Sequence, residues 1–179
     1  MVEDWQGTIH INAPVEQVYR YLADFPRHCE WAQTLDRMEQ VHPGNSIGVG
    51  ARYKTFERQA FQADRKPKTP LTKGMRGTTL CEVRELIPNR RIAWKAHPLP
   101  WAMGTQAQLA FELKPAAEGG TTLTQTIHMQ IPGLVMAIMG RLAGAGPGKA
   151  QAQWEASLQN IKAILEEEAE RPPTGREVI

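Results

Sequence analysis

The sequence has few of the features that commit a chain to one chemistry or one compartment. It contains only two cysteines, Cys29 and Cys81, with no CxxC pair, so we expect reduced thiols rather than a disulfide framework or a cysteine metal site. Basic and acidic residues nearly balance, 21 against 19, which argues against a nucleic-acid partner. No apolar run reaches the roughly 18 residues that a membrane-spanning helix needs, and the first residues do not form a signal peptide. These absences predict a cytoplasmic protein.

Motifs of catalysis, metal binding and nucleotide binding are also missing. There is no GxSxG, phosphate-binding or dinucleotide fingerprint. The histidines lack ligand spacing, and three of them alternate with apolar strand residues, so we expect those three to face solvent. They are His10, His97 and His128. His28 lies in a short predicted helix, where an ordinary structural role is favoured and a position at the mouth of a cavity is the alternative. The sequence therefore predicts no metal and no cofactor, and it assigns a catalytic role to no residue.

A long amphipathic helix is the strongest feature that is present. Within residues 149–168, four large apolar side chains recur at steps of four, three and four, which places them on one helical face. They are Trp154, Leu158, Ile161 and Leu165. Burying such a stripe is worth on the order of 8 kcal/mol before entropy costs. We therefore expect the rest of the chain to wrap this helix.

The segments before this helix are predicted to be strands joined by turns. Alternating or β-rich runs predict strands at 5–12, 35–42, 51–58, 78–86, 91–97, 105–114 and 121–130. Asn12-Ala13-Pro14 opens a first short helix, with Asn12 or Ala13 near its cap and Pro14 in its first turn, and Asp24 is the candidate cap of a second one. This order predicts an α+β domain in which a curved antiparallel sheet of six to seven strands surrounds the long C-terminal helix. A curled sheet and a straight helix cannot touch along their whole length, so we expect a cavity between them.

Several motifs together resemble one superfamily. They are IHINAPVEQVYRYLADF at 9–25, the Asp24-Phe25-Pro26 junction followed by Trp31, the Gly119-Gly120-Thr121 hairpin and the closing helix. Over residues 5–168 the chain resembles the START-like (SRPBCC) superfamily, most closely its polyketide cyclase/dehydrase-like and coenzyme Q-binding branches. The resemblance implies the helix-grip fold, one domain over 1–170, and a deep apolar cavity between the sheet and the last helix. The remaining residues, 171–179, are predicted to be a disordered tail.

The candidate ligand-binding residues are the large apolar and aromatic side chains predicted to face this cavity, together with polar residues in phase with them. They are Trp31, Tyr53, Trp94, Trp101, Leu109, Phe111, Gln125, Ile127, Met129, Met136, Trp154, Leu158 and Ile161. Two interpretations stay open for part of this set. Trp94 and Trp101 fit ordinary core packing or an aromatic rim at the entrance. The methionines fit an adaptable binding surface or irregular core filling.

The charged residues of one strand decide whether catalysis is plausible. Either Glu82 and Arg84 pair inside the cavity, or Cys81, Val83 and Ile87 form the inner face and the charges lie outside. The second is favoured, because a buried charge costs several kcal/mol unless it is paired. The first would place an acid and a base in an apolar pocket, where they could support cyclisation or dehydration.

The favoured function is therefore binding of a small hydrophobic molecule of lipid, isoprenoid or polyketide type, with ligand desolvation as the driving force. The alternative is a polyketide cyclase, aromatase or dehydratase that acts by acid/base catalysis in the same cavity. A third hypothesis is that the basic segment 59–74 contacts an acidic partner or a membrane surface. Residues 134–142 are interpreted as a lid, in preference to a segment that dips transiently into a membrane. The sequence leaves the oligomeric state open.

Overall fold

The computed structural model of the protein describes residues 2–57, 78–99, 106–130 and 147–170. The described strands are β1 (Val2–Ile11), β2 (Leu35–His42), β3 (Arg52–Glu57), β4 (Thr78–Ile87), β5 (Arg91–Leu99), β6 (Gln106–Pro115) and β7 (Thr121–Gln130). The described helices are α1 (Val15–Ala23), a 3-10 turn (Phe25–Arg27), α2 (His28–Trp31) and α3 (Pro147–Glu170).

The seven described strands form one antiparallel sheet in the order β1-β7-β6-β5-β4-β3-β2. From β2 to β7 each strand pairs with its neighbour in sequence, whereas β1 pairs with β7 and occupies the far edge. The sheet is curved, and α3 packs against β1 and α2. The predicted helix-grip α+β architecture is confirmed, including the two short helical segments after the first strand.

Two tight turns explain where strands reverse. Asn89 has a φ of 60° in the turn between β4 and β5, a conformation that asparagine tolerates better than most residues. Gly120 has a φ of 76°, and a Cβ at this position would lie 2.5 Å from the carbonyl oxygen of Ile11. The turn between β6 and β7 therefore requires glycine, as predicted for the Gly-Gly hairpin.

The start of α1 lies close to the predicted position. Pro14 is the cap residue, one position before the first turn in which it was predicted, and Asn12 and Ala13 directly precede it, near the cap as predicted. The backbone N–H of Asn12 donates to Glu166 Oε1 of α3 at 2.8 Å, a tertiary contact that local sequence rules do not contain. Asp24 precedes the 3-10 turn as predicted, although its side chain makes no capping hydrogen bond.

The apolar stripe of α3 is buried as its spacing predicts. Leu158, Ile161 and Leu165 are at most 4% exposed, whereas Trp154, nearer the start of the helix, is half-buried. Burial of the stripe is therefore complete only along the C-terminal part of the helix.

A glycine in β1 allows this helix to approach the sheet. A Cβ on Gly7 would lie 2.5 Å from the ring of Trp5 and 2.8 Å from Cδ1 of Leu158. Any larger residue would therefore push apart the strand and the helix that packs on it.

The charged residues of β4 lie on the outer face, as favoured. Cys81 and Val83 are buried, while Arg84 is exposed and donates to Glu82 at 2.7 Å. The prediction that Ile87 shares the inner face is wrong, because the pairing of β4 with β5 shifts by one residue after Val83. This bulge reverses the alternation and leaves Ile87 37% exposed.

Some predictions concern parts of the chain outside the described residues. They are Trp101 and Met136 among the candidate ligand residues, the basic segment 59–74, the lid segment 134–142 and the tail 171–179. Of the helices that the structure describes, none combines the length and apolar composition needed to cross a bilayer.

Candidate ligand-binding site

One row of paired residues across the sheet contains a buried polar side chain, Gln125, on a surface that is otherwise apolar. Gly7, Gln125, Phe111 and Ile92 are successive partners in the ladders that join β1, β7, β6 and β5. Gln125 is 2% exposed, and Phe111 and Ile92 are completely buried. The amide of Gln125 is therefore enclosed on the inner face, beside the ring of Phe111.

An aromatic cluster covers this row. It combines three rings from the short helical segments with three rings from the sheet, namely Phe25, His28, Trp31, Tyr53, Trp94 and Phe111. Phe25 stacks on Tyr53 with ring centroids 5.0 Å apart, and Trp31 meets Phe111 edge-on at 5.9 Å. Trp94 lies between the two groups, 5.7 Å from Phe25 and 5.3 Å from Phe111. Rings packed in this way combine burial of apolar surface with favourable stacked and edge-on contacts.

His28 lies inside the aromatic cluster, which agrees with the favoured structural role and not with the alternative position at a cavity mouth. Its ring stacks on Phe25 at 4.7 Å, and its Nε2–H donates to the carbonyl oxygen of Leu22 at 2.8 Å. Burial lowers the pKa of His28 to about 4, against a smaller opposing effect of that hydrogen bond. The imidazole is therefore neutral at pH 7, with its proton on Nε2 and its lone pair on Nδ1.

Two buried polar atoms have no hydrogen-bond partner among the described residues. They are Nε1 of Trp31, which is a donor, and Oε1 of Gln125, which is an acceptor. Both side chains adjoin Phe111, one through the ring contact and the other through the β6–β7 ladder. Leaving such an atom unsatisfied costs about 1–3 kcal/mol, and native proteins rarely accept that cost without water or a ligand.

Helix α3 and a small ion-pair network hold the short helices over the sheet. Asn160 of α3 donates to the carbonyl oxygen of Trp31 at 3.0 Å. Arg27 bonds both oxygens of Glu30, at 2.9 and 3.0 Å, and reaches Glu168 of α3 at 2.6 Å. The hydrogen bond from Arg27 lowers the pKa of the Glu30 carboxyl group. Helix α3 therefore holds the short helical segments at two points, the carbonyl group of Trp31 and the side chain of Arg27.

Burial of the inner face changes along the sheet. Near the β6–β7 turn and the C-terminus of α3, the inward side chains of β6, β7 and α3 are buried, namely Leu113, Leu123 and Leu165. We call this region the closed end. At the opposite end, which we call the open end, inward side chains of the same three elements are half-buried. They are Ala107, Leu109, Met129 and Trp154. Solvent therefore reaches the inner face from the open end.

The structure brings together most of the predicted ligand-binding residues that it describes. Trp31, Tyr53, Trp94 and Phe111 join the aromatic cluster. Gln125 and Ile127 adjoin the cluster on β7, and Leu158 and Ile161 are the buried face of α3, while Leu109, Met129 and Trp154 mark the open end. Their roles as ligand contacts stay predictions. The sequence reasoning missed Phe25, although the Asp-Phe-Pro junction that contains it was recognised.

Comparisons with known proteins agree with this geometry. A family model described as "Polyketide cyclase / dehydrase and lipid transport" matches residues 4–166. No curated protein matches the sequence.

Solved structures share the fold at low sequence identity. Protein CV1439 from Chromobacterium violaceum is 18% identical with a TM-score of 0.61, covering 91% of this chain and 97% of that one. TTHA0849 from Thermus thermophilus is 15% identical with a TM-score of 0.64, covering 94% and 100%. The di-domain ARO/CYC StfQ from the steffimycin biosynthetic pathway is 19% identical with a TM-score of 0.67. That match covers 94% of this chain but only 52% of StfQ, so this chain spans about half of the di-domain protein.

Proposed function

The chain belongs to the polyketide cyclase/dehydrase and lipid transport family, and from this premise we propose that it binds a small hydrophobic molecule between the curved sheet and α3. The ligand would lie against the aromatic cluster and enter from the open end. Desolvation of its apolar surface would supply most of the binding free energy.

The observation that carries this proposal is the pair of unsatisfied atoms, Trp31 Nε1 and Gln125 Oε1. Both belong to side chains that are at most 5% exposed, in surroundings that are otherwise aromatic or aliphatic. Each atom has less than 1 Å² of accessible surface, so a ligand would reach them only as the rings around them move apart.

The ionisable groups favour binding over acid/base cyclisation. Glu82 and Arg84, the pair considered as acid and base, lie on the outer face. Among the buried groups that the structure describes, burial lowers the pKa of His28 to about 4 and raises the pKa of Cys81 to about 12. Burial also raises the pKa values of the Tyr21 and Tyr53 hydroxyl groups. His28 is a weak base and the other three groups stay protonated at pH 7, so none matches the pKa near 7 that proton transfer favours.

Native mass spectrometry of the purified protein, followed by solvent extraction, tests the proposal directly. We expect a co-purifying hydrophobic molecule, or binding of the uncharged dye N-phenyl-1-naphthylamine with increased fluorescence. Protein that is empty and also leaves the dye fluorescence unchanged would contradict the proposal.

A matched pair of variants on β6 tests where the ligand lies. Leu109→Trp places a large ring on the inner face at the open end, so we expect dye affinity to fall about tenfold or more. Gln108→Trp adds the same ring at the next position, which is exposed on the outer face, and should leave affinity unchanged. Equal effects of the two variants would exclude the inner face as the binding surface.

A further inference from the structure

We propose that two copies of this chain associate through strand β2, so that their two sheets join edge to edge as one antiparallel sheet. The two β2 strands run in opposite directions about a two-fold axis that passes beside Met38. This surface lies outside the candidate ligand-binding site, and the association does not depend on the proposed function.

The unequal cover of the two sheet edges is the first argument. At one edge, α3 packs against β1 and brings the ring of Trp154 against that of Trp5. At the other edge, β2 has no second partner among the strands that the structure describes. Every side chain from Arg37 to His42 is exposed except that of Met38. Such an edge presents backbone N–H and C=O groups to which a further strand can bond.

Two charged side chains on the outer face of β2 are the second argument. Arg37 and Glu39 share this face, because Met38 between them is buried and the Nε–H of Arg37 donates to Oε1 of Glu39 at 2.8 Å. The guanidinium group also lies over the ring of Phe56 on β3, 3.9 Å from its centroid. Contacts within each copy therefore hold the two charges in place, which reduces the side-chain entropy lost on association.

The register of the two strands decides whether these charges attract or repel. Regular pairing of β2 with β3 covers Arg37 to Gln40, between two bulges, so the axis is expected within this segment. Residues directly opposite each other in an antiparallel pair share a face. An axis at Arg37 would bring two guanidinium groups together, and an axis at Glu39 would bring two carboxylates together. An axis at Met38 instead places each Arg37 opposite Glu39 of the second copy.

The register centred on Met38 produces a ring of alternating charges. Each Arg37 lies between its own Glu39 and that of the second copy, and each Glu39 lies between two guanidinium groups. A network of this kind contributes more than separate surface ion pairs do. The exposed Val41 of each copy also comes close to the half-buried Leu35 of the other. Because the regular segment is short, we expect a weak dimer with a dissociation constant on the order of 10 μM.

Sedimentation velocity of the purified protein from about 1 to 200 μM tests the association. We expect a reversible change from monomer to dimer. Arg37→Glu and Glu39→Arg each place like charges in the ring, so each should weaken association about tenfold or more. The double variant Arg37→Glu/Glu39→Arg restores the alternation and should restore the dimer. Glu82→Arg reverses an outer-face charge on β4, away from the edge, and is the matched control that should leave association unchanged.

A mixture of the two single variants separates a repelled edge from a damaged fold. One of these proteins carries two acids and the other two bases at positions 37 and 39, so neither pairs with itself and we expect the two to form a mixed dimer. Thermal unfolding of each variant checks that the fold is retained. Wild-type protein that stays monomeric throughout the concentration range would overturn the inference. A dimer that survives both single substitutions, or a mixture that stays monomeric, would also overturn it.

Discussion

The closed and open ends of the sheet differ in what fills the space between the sheet and α3. At the closed end, Leu113, Leu123 and Leu165 are at most 3% exposed. At the open end, Leu109 and Trp154 occupy equivalent inward positions on the same sheet and helix but are half-buried. The strands and the helix run through both regions, so the difference arises from tertiary packing and not from secondary structure.

The contacts between α3 and β1 also differ between the closed end and the open end. At the closed end, Lys162 donates to the carbonyl oxygen of His10 at 2.9 Å, and Glu166 accepts from Asn12. The hydrogen bonds from Lys162 and Asn12 lower the pKa of the Glu166 carboxyl group. At the open end, α3 meets β1 through the rings of Trp5 and Trp154, 5.6 Å apart. A helix anchored by hydrogen bonds at one end and by adaptable ring contacts at the other can admit a guest without loss of the fold.

The largest expected effect comes from a matched truncation at the two ends. Leu123→Ala removes a fully buried side chain at the closed end, so we expect the free energy of unfolding to fall by about 4 kcal/mol. Leu109→Ala removes the same atoms from a half-buried position at the open end, with an expected loss of about 1 kcal/mol. Denaturant unfolding followed by circular dichroism measures both. Equal losses would mean that the two ends are packed alike.

Acidification should lower the free energy of unfolding through His28, which lies in the aromatic cluster. The pKa of His28 is lowered by burial from 6.5 to about 4, so between these pH values the unfolded chain binds more protons than the folded one. The free energy of unfolding should therefore fall as pH drops from 6.5 to 4, by about 3 kcal/mol in total from this residue.

Comparison with His28→Phe isolates that contribution, because the ring is kept and the titrating group is removed. The lowered pKa values of Glu30 and Glu166 also make stability fall at acid pH, but below about 4.5 and in both proteins alike. Stability curves of wild type and variant that run parallel between pH 6.5 and 4 would show that His28 is accessible to solvent.

A substitution between the two ends tests the approach of α3 to β1. Gly7→Ala places a methyl group against Trp5 and Leu158, so we expect a loss of about 2 kcal/mol and faster release of N-phenyl-1-naphthylamine. Stopped-flow dilution measures release, and Gln6→Ala, at the exposed neighbouring position, serves as control. Unchanged release together with unchanged stability would show that the helix moves away without cost.

The smallest expected effect concerns the ion pairs at the closed end. Arg27→Met removes the contacts with Glu30 and Glu168 and leaves their carboxylates close together, so we expect a loss of about 1 kcal/mol after solvent screening. Arg37→Met is the matched control, because Arg37 also pairs with a glutamate and lies over an aromatic ring but is 47% exposed on the edge strand. Its expected loss is below about 0.5 kcal/mol, and a larger loss than that of Arg27→Met would contradict the role assigned to the network.

The sequence predicted the elements whose side chains alternate regularly. The steps of four and three in α3 identified its buried face, and the period of two in β7 placed Gln125 inward beside Leu123 and Ile127. One prediction failed where the pairing of neighbouring strands is irregular. Ile87 turns outward because of a bulge between β4 and β5 that pattern rules do not detect.

The sequence by itself determined the fold, because helical and strand periodicities decide which faces must be buried and few arrangements bury them all. The tertiary structure alone decided the candidate site. It placed the ring of His28 against Trp94 of a strand distant in sequence, and it left a donor on Trp31 and an acceptor on Gln125 without partners among the described residues. Whether a buried polar atom is satisfied depends on side chains brought together from several elements, and no local pattern contains that information.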